Sequence, residues 1–366
     1  MKAVCRKVRI YNPKKCKNQE KKDMLERLPK LTSLESWVNE TVIGQEDVVR
    51  KICTKIYEIL RFPQLKSNIL LVGKSGTGKT EIIRQISARL KIPFTIEDAT
   101  QYTEEGYMGA SVTDMVNNLI KAADGDFLKA SRGIIFVDEI DKKRPTEESN
   151  SSISRDGVLK SLLKIIEGTK LEFSNPKYDY SKPSSQRIIK FDTSKIIFIF
   201  GGAFEGLDKI RNKRLKENNK IGFTSAEANH IVINNYMNTT FTKEDLIQFG
   251  LPAEFVGRIS SIYETRELQI EDLKNIIARS KKSEFRKYEK IFNEYGIELI
   301  YSDSLFDLIA KSAKKSATGA RELNSFISHI FERVMYDFLS DANIRNSKKC
   351  ILSDGIVKDN TRYHWE

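Results

Sequence analysis

Four short, continuously apolar segments stand out in the first two thirds of the chain. They are NILLV at 68–72, IPFTIE at 92–97, GIIFVDE at 133–139 and KIIFIF at 195–200. Strands buried on both faces of a parallel sheet are apolar throughout, so we predict four central parallel strands. Between them, at 82–90 and 158–166, apolar residues recur every three or four positions, which predicts helices. This alternation predicts a doubly wound α/β domain.

Helical spacing dominates after about Thr265. Two short strand-like segments, at 297–301 and 350–354, interrupt it. We therefore predict a large α/β domain at 31–264, followed by a smaller, mainly helical domain at 265–366.

Three polar stretches interrupt the apolar pattern. Those at 142–157 and 174–186 are rich in Ser, Pro and Asn and are predicted to be loops. The third, at 208–230, contains an isolated apolar tripeptide. Residues 1–30 hold 11 Lys or Arg against 3 Asp or Glu. We interpret them as a solvated, flexible basic arm, with attraction to an acidic partner such as nucleic acid as the alternative.

Composition narrows the class of protein. The 366 residues are 40% hydrophobic and 31% charged, with a formal net charge of +12, which is typical of a soluble globular protein. No apolar run is long enough to span a bilayer, and we expect no membrane partner and no secretory signal. Cysteines at 5, 16, 53 and 350 form no CxxC pair. They indicate a reducing compartment, either the cytoplasm or an organelle matrix.

A glycine-rich segment follows the first predicted strand and precedes a predicted helix. It matches the P-loop pattern G-x-x-x-x-G-K-[ST] and consists of Gly73, Lys74, Ser75, Gly76, Thr77, Gly78, Lys79 and Thr80. In such a loop the backbone N–H groups and the helix amino terminus bind phosphates. Lys79 is expected to reach the β and γ phosphates of ATP, and the Thr80 hydroxyl to bind Mg²⁺. The strand and helix context favours this function over a simple glycine-rich turn.

Two carboxylates follow the third predicted strand, about 60 residues beyond the P-loop. Side chains at the carboxyl ends of parallel strands face the crevice where ligands bind. Asp138 is expected to hold Mg²⁺ through water, and Glu139 to act as the general base that activates the attacking water. Either residue alone would more often be a solvated charge. Together they favour ATP hydrolysis over binding alone.

From about Leu31 to Asp341 the chain resembles the AAA+ ATPases, and among them the ClpX-type protein unfoldases. The segments that carry the resemblance, besides the P-loop and the paired carboxylates, are VIGQ (42–45), TEEGYMGASV (103–112), SLLKIIEGT (161–169), DTSKIIFIFGGAFEGLDK (192–209), KIGFTS (220–225), FGLPAEFVGRI (249–259) and SATGARELNS (316–325).

The resemblance implies further residues of the nucleotide site. Val42 and Ile43 would frame the adenine. Arg258 corresponds to the arginine finger, which acts on the site of a neighbouring subunit, so a homohexamer is implied. Arg321 corresponds to the sensor-2 arginine, which would contact the γ phosphate of its own subunit. Without the resemblance, either arginine would be read as a surface ion pair.

The resemblance also implies a pore for protein substrates. Tyr107 would grip the polypeptide, helped by Met108, because a tyrosine offers a broad surface that suits any sequence. Arg155 is what remains of a second pore loop that is shorter than in the family. The basic pore-entrance loop of the family is not visible at 174–186.

A docking segment is implied at Ile221, Gly222 and Phe223, which would enter apolar clefts of a ClpP-type peptidase. The related HslU type lacks this segment and carries an inserted domain, for which 142–157 leaves no room. Two features of the family are missing from the pattern. Only Cys5 and Cys16 lie near the amino terminus, so we expect no four-cysteine zinc domain. No polar residue can be assigned as sensor-1, because the fourth strand ends in Gly201 and Gly202.

These inferences predict an ATPase that unfolds proteins and threads them through a ring, and no peptidase site of its own. A remodelling chaperone that never meets a peptidase remains an alternative. A nucleic-acid-linked AAA+ loader is a further one, suggested by the basic arm, although the Gly-Tyr-Met-Gly segment favours a protein substrate over nucleic acid.

Overall fold

A computed structural model gives the fold. It describes residues 28–102, 110–143, 152–174, 188–221, 240–315 and 320–366, with the backbone alone described at 152–156 and 218–221. Helices in these ranges are α1 (Leu31–Asn39), α2 (Glu46–Arg61), α3 (Lys79–Leu90), α4 (Val112–Ala122), α5 (Phe127–Ala130), α6 (Ser152–Glu167), α7 (Leu207–Ile221), α8 (Lys243–Phe249), α9 (Ala253–Gly257), α10 (Ile270–Arg279), α11 (Glu284–Glu294), α12 (Asp303–Lys314) and α13 (Ala320–Ser340). The strands are β1 (Asn68–Val72), β2 (Phe94–Asp98), β3 (Ile134–Asp138), β4 (Lys170–Ser174), β5 (Ile188–Asp192), β6 (Ile197–Gly202), β7 (Ile259–Glu264), β8 (Glu298–Ile300), β9 (Lys349–Leu352) and β10 (Tyr363–Trp365).

The central sheet has five strands in the order β2-β3-β6-β1-β7, and all four neighbouring pairs are parallel. The doubly wound α/β fold is therefore confirmed, and the four predicted strands lie within it. The fifth strand, β7, was not predicted. Its sequence, ISSIYE, is not continuously apolar because it lies at the edge of the sheet, where part of its surface is exposed.

Alternate residues of each central strand enter two different hydrophobic cores. In β1, Ile69 and Leu71 pack against α1, α2 and α3, whereas Leu70 and Val72 face the core that contains α4, α6 and α9. In β3, residues 134 and 136 belong to the core on the side of α1, α2 and α3, and residues 135 and 137 belong to the other core. Burying one such side chain stabilises the fold by roughly 1.5–3 kcal/mol. Coverage of both faces explains why these strands are apolar throughout.

A third hydrophobic core belongs to residues 268–356, and this region is mainly helical, as predicted. Phe285 of α11 packs edge-to-face against Phe306 and Phe331, with ring centroids 4.9 and 5.3 Å away. A small sheet, in the order β10-β9-β8, covers this core. Strand β8 lies within the first predicted strand-like segment, and β9 overlaps the second. The antiparallel strand β10, which holds Tyr363 and Trp365, was not predicted.

Two polar stretches contain more helix than the sequence pattern indicated. The prediction of a loop throughout 142–157 is wrong at its end, because α6 begins at Ser152. In the stretch at 208–230, α7 extends to Ile221. This helix is polar on most sides and is held by charges: Arg214 forms an ion pair with the buried Asp245 at 2.8 Å. Apolar periodicity is therefore weak and could not reveal it.

Candidate functional site

The P-loop connects β1 to α3, as its sequence predicts, and it lies against β7. Thr265, directly after β7, is 4% exposed, and its hydroxyl is 2.7 Å from that of Thr77. A Cβ atom at Gly73 would lie only 1.9 Å from the Thr265 hydroxyl oxygen, so a side chain has no room there. The pattern of the motif gives no indication of Thr265, because the contact spans 188 residues.

Lys79 is the buried cation of the P-loop, at 8% exposure. Its ammonium group donates to the carbonyl oxygens of Gly73 at 2.5 Å and Lys74 at 3.1 Å. Burial lowers the pKa of Lys79, and the charge of Arg321 lowers it further, while Asp138 and two other carboxylates act in the opposite direction. The charge of Arg321, near the start of α13, therefore acts on the P-loop lysine of its own chain.

Oxygen ligands suitable for a divalent cation meet beside the P-loop. The Thr80 hydroxyl donates to one carboxylate oxygen of Asp138 at 3.3 Å, and the other oxygen accepts from the Glu139 backbone N–H at 2.9 Å. A hydroxyl next to a half-buried carboxylate matches the oxygen chemistry that Mg²⁺ requires. Among the described residues, no group of three or more His, Cys, Asp or Glu side chains is arranged to hold a metal. Any Mg²⁺ here would therefore rely on phosphate oxygens and water as well.

Glu139 has the left-handed backbone conformation, with φ of 58°. This conformation costs free energy in a residue with a side chain, and it is often found at functional sites. The Glu139 carboxylate lies just beyond the carboxyl end of β3 and is 41% exposed. Lys142 forms an ion pair with it at 2.7 Å. The carboxylate is close to the site and accessible to water, as a general base requires.

Gly201 and Gly202, where no polar residue could be assigned, end the strand next to β3. A Cβ atom at Gly201 would lie 2.5 Å from the ring of Phe136, and one at Gly202 would lie 2.5 Å from Asp141 Oδ1. There is consequently no space for a side chain on this part of β6. The polar group in this place is Asp141, which comes from the turn after β3.

Asp141 is the functional candidate that the sequence analysis missed. It is 9% exposed, and one oxygen accepts from the Phe204 backbone N–H at 3.0 Å. Its other oxygen, Oδ1, has no hydrogen-bond partner within the described part of the chain. Burial raises the pKa of this carboxyl. Three acidic residues, Asp138, Glu139 and Asp141, thus lie within four positions beside Lys79.

The VIGQ segment lies between the two domains. Val42 is buried, and a Cβ at Gly78 of the P-loop would lie 3.6 Å from its Cγ1 atom. Ile43 is half-buried. Gln45 forms two hydrogen bonds with the backbone of Arg266, at 2.8 and 3.1 Å. The segment proposed to frame the adenine therefore contacts both the P-loop and the chain that links the domains.

Ion pairs also join the P-loop region to the helical domain. Glu267 accepts from Lys74 at 3.0 Å and from Lys314 at 2.8 Å. On α3, Glu81 accepts from Lys282 at 2.7 Å. These groups are half-buried or exposed, so each pair adds little stability.

Arg258 lies at the other end of the sheet. It precedes β7, and its carbonyl oxygen accepts from the side chain of Asn68, the first residue of β1. Its guanidinium group is 55% exposed and forms an ion pair with Glu167 at the end of α6. The charge of Arg321 thus acts on the P-loop of the same chain, whereas Arg258 lies at the opposite end of β1.

The residues predicted to form the pore and the docking segment lie largely outside the described structure. Tyr107 and Met108 belong to 103–109, and Gly222 and Phe223 belong to 222–239, neither of which is described. Arg155 and Ile221 fall on α6 and α7, with only their backbones described. The cysteines at 5 and 16 are outside as well, whereas those at 53 and 350 are buried free thiols.

Two family models match the chain in succession. The AAA domain (Cdc48 subfamily) matches residues 64–262, and the C-terminal, D2-small domain of ClpB protein matches residues 268–352. The first match covers the five-stranded sheet and the second covers most of the helical domain. Within the described ranges, we find no helix with the length and apolar character needed to cross a membrane.

Curated relatives share most of the chain. Three are named ATP-dependent Clp protease ATP-binding subunit ClpX. The protein from Bacteroides thetaiotaomicron is 34% identical over 87% of this chain and 79% of its own length. Those from Borrelia duttonii and Treponema denticola are each 36% identical, over 91% and 90% of this chain and 80% and 81% of their own lengths. The chain is accordingly a nucleotide-binding AAA ATPase, and it belongs to the ClpX family.

Proposed function

We propose that this chain is the ATP-driven subunit of a ring that unfolds proteins and translocates the polypeptide. Clp ATPases named in the comparisons are subunits of a protease, which supports a proteolytic partner for this chain as well. The chemistry at its own site is the hydrolysis of ATP. Degradation would belong to the partner.

The P-loop and the carboxylates after β3 have different roles at the nucleotide. Backbone N–H groups of 73–80 and the ammonium of Lys79 bind the phosphates. Thr80 and Asp138 would hold Mg²⁺, which neutralises phosphate charge when it is bound. Glu139 accepts a proton from the attacking water. Val42, Ile43 and Arg321 would sense the base and the γ phosphate from the domain junction.

The position of Arg258 is the observation that best supports assembly into a ring. Strand β1 separates it from its own P-loop, and four residue steps of a strand span about 13 Å, roughly twice the reach of an arginine side chain. The guanidinium is nevertheless exposed, at the edge of the molecule. An arginine finger here would serve the nucleotide of an adjacent subunit, as in a homohexamer.

The pore and docking roles extend the same proposal. Tyr107 and Met108 would line the channel together with Arg155, and Ile221, Gly222 and Phe223 would bind a ClpP-type peptidase. What supports them is the family membership and their place in the chain: residues 103–109 come after β2 and a short 3₁₀ turn, and α7 ends at Ile221. The cytoplasm or an organelle matrix is the proposed location, where reduced cysteines such as the buried 53 and 350 are stable.

A folded, tagged fluorescent protein tests the proposal. Wild type should abolish its fluorescence in an ATP-dependent manner, and added ClpP-type peptidase should convert this loss into fragments. Glu139→Gln should bind ATP and form rings yet lower hydrolysis by roughly 10²–10⁴-fold. Tyr107→Ala should hydrolyse ATP but unfold the substrate slowly. Full ATPase activity with an intact substrate would contradict the proposal.

Two controls separate the alternatives. If fluorescence is lost without peptidase and Phe223→Ala changes nothing when peptidase is added, the chain is a remodelling chaperone. If DNA stimulates the ATPase with a steep salt dependence, it is a nucleic-acid-linked loader. Glu172→Gln, at an exposed position on β4, should behave as wild type.

A further inference from the structure

Lys143 is a buried lysine at the end of the 3₁₀ turn Ile140–Lys143, which follows β3 directly. Its side chain is 8% exposed. The ammonium group donates to the carbonyl oxygen of Tyr102 at 2.8 Å and contacts that of Thr100 at 3.5 Å. Removing an ammonium ion from water is costly, so a buried lysine that binds backbone carbonyls is a specific arrangement and not a surface feature.

Tyr102 is anchored on every side that the structure describes. It is 3% exposed, and its backbone forms a parallel bridge with Ala110. Its hydroxyl donates to the buried Glu97, which also accepts from Asn118 at 3.3 Å. Burial and the Glu97 carboxylate raise the pKa of the Tyr102 hydroxyl. Tyr102 and Ala110 bracket 103–109, so their positions set both ends of that segment.

The turn that carries Lys143 is tied to the nucleotide site through its other residues. Lys142 pairs with Glu139 at 2.7 Å, and Asp141 accepts from the backbone of Phe204 after β6. Three successive side chains of this turn thus contact Phe204 after β6, Glu139 directly before the turn, and Tyr102. The turn follows β3 directly, so only five positions of the chain separate Asp138 from Lys143.

We propose that Lys143 is a positioning residue that couples the state of the nucleotide site to Tyr102 and Ala110, and so to the segment between them. This inference rests on the proposed function, in which that segment grips substrate. A lysine suits the role, since its three donors bind two carbonyls at once and its charge strengthens both contacts. Loss of the ammonium group would leave the catalytic groups in place but would remove their coupling to the segment that grips substrate.

The test compares Lys143→Met, Lys143→Gln and Lys143→Arg with Lys121→Met, a control at an exposed position on α4. We measure kcat and KM for ATP, the rate of unfolding of a tagged fluorescent protein, and the ATP consumed per molecule unfolded. Lys143→Met should keep kcat and KM within about two-fold and lower unfolding about 5- to 10-fold, so the ATP cost rises in proportion. Lys143→Gln should lie between, and Lys143→Arg should restore at least half of the rate.

Hydrogen exchange provides a readout that does not depend on unfolding. In wild type, amides of peptides covering 98–112 should exchange at different rates with ADP and with a slowly hydrolysed ATP analogue. In Lys143→Met this difference should disappear, while Lys121→Met keeps it. Should Lys143→Met not fold, judged by its melting curve, the Gln and Arg variants carry the comparison.

The outcomes separate this inference from the proposed function. If wild type does not unfold the substrate, the proposed function fails. The exchange experiment still tests whether Lys143 couples the nucleotide site to Tyr102 and Ala110. If wild type unfolds it and Lys143→Met does so at the same ATP cost, the inference is overturned and the function stands. Equal losses of ATPase and unfolding, with a nucleotide-dependent exchange difference retained, would assign Lys143 a purely structural role and also overturn it.

Discussion

Asn68 and Arg258 are joined at the amino-terminal edge of the central sheet, where the Asn68 side chain donates to the Arg258 carbonyl oxygen at 2.9 Å. The P-loop begins at the opposite end of the same strand, β1. Thr265, at the other end of β7, contacts Thr77 of the P-loop. Strand β7 is therefore flanked by one residue that contacts the P-loop of its own chain and by one that lies at the far end from it.

Mixing two inactive variants should restore hydrolysis if Arg258 acts on a neighbouring site. Arg258→Ala keeps an intact P-loop, whereas Lys79→Ala keeps an intact arginine. Each alone should lose at least about 100-fold in kcat, since an arginine finger contributes 10³–10⁵-fold in related phosphoryl transfers. Rings assembled from both would contain some complete sites, so the mixture should recover a measurable fraction of wild-type phosphate release.

The control for that experiment is Arg50→Ala, an exposed arginine on α2, which should hydrolyse ATP normally and give no effect on mixing. Native mass spectrometry must show mixed rings. An inactive mixture in demonstrably mixed rings, or full activity of Arg258→Ala alone, would refute action in trans.

Gly202→Ala should disturb the nucleotide site from within the sheet. Its Cβ would meet Asp141 Oδ1 at 2.5 Å and the Phe204 ring at 2.6 Å, so both must move. Overpacking of this kind costs roughly 1–3 kcal/mol. We expect a lower melting temperature and a kcat reduced several-fold with a smaller change in KM, because Asp138 and Glu139 shift while the P-loop persists.

Gly257→Ala provides the matched control for Gly202→Ala. A Cβ there has no neighbour within 4 Å, and its φ is not in the left-handed region. It should retain both stability and kcat, although Arg258 is the next residue. Equal behaviour of the two alanine variants would show that Asp141 and the end of β6 do not position the carboxylates.

One physical difference separates the features that the sequence predicts from those that it does not. The P-loop, Asp138 and Glu139 are contiguous in the chain, so their spacing alone places them on a strand end and a helix start. The contacts of Asp141 and Thr265 join positions 63 and 188 residues apart and depend on the order of strands in the sheet. No periodicity encodes such pairs.

The elements that escaped prediction have a related explanation. Strand β7 lies at the sheet edge, and the β4–β5 hairpin is exposed along one face, so neither has a continuously apolar sequence. Helix α7 is held by ion pairs to Asp245 and Glu264 in place of an apolar stripe. The local sequence pattern predicts secondary structure poorly where contacts with distant residues determine the environment of a side chain.

Thr265→Val should weaken nucleotide binding from outside the P-loop motif. It removes the hydroxyl that bonds Thr77 at 2.7 Å but keeps the shape of the side chain. A buried hydrogen bond lost in this way costs about 1–3 kcal/mol, so we expect ATP affinity to fall by about 5- to 10-fold or more. Titration with a fluorescent ATP analogue measures it.

Thr265→Ser retains the hydroxyl and should bind the analogue like wild type, while Thr54→Val, at an exposed hydroxyl on α2, should have no effect. If valine and serine at 265 give the same affinity, the hydroxyl contact does not support the P-loop. Loss of affinity in both would indicate that the methyl group and packing matter more than the hydrogen bond.

Lys66→Met should stabilise the protein at neutral pH. Burial lowers the pKa of Lys66 to about 8 from 10.5, and the nearby Asp192 opposes that shift only partly. Its contacts are weak for a charge: the Ile166 carbonyl at 3.4 Å and the Phe198 ring at 5.9 Å. Keeping it protonated in the folded state therefore costs free energy at pH 7. We expect a gain of about 1–2 kcal/mol, less than the whole shift implies, because water still reaches part of the side chain.

The pH dependence of the difference between Lys66→Met and wild type identifies the cause. Between pH 8 and 10.5 the unfolded chain binds more protons at this lysine than the folded chain, so wild-type stability gains from Lys66 as the pH rises through this window. Methionine has no such gain, and its advantage should shrink toward pH 10. Lys91→Met, at an exposed position after α3, should give a difference that does not depend on pH. Melting curves at pH 7, 8, 9 and 10 measure all three proteins, and an advantage of Lys66→Met that stays constant or grows with pH would show that the charge of Lys66 is not what destabilises the fold.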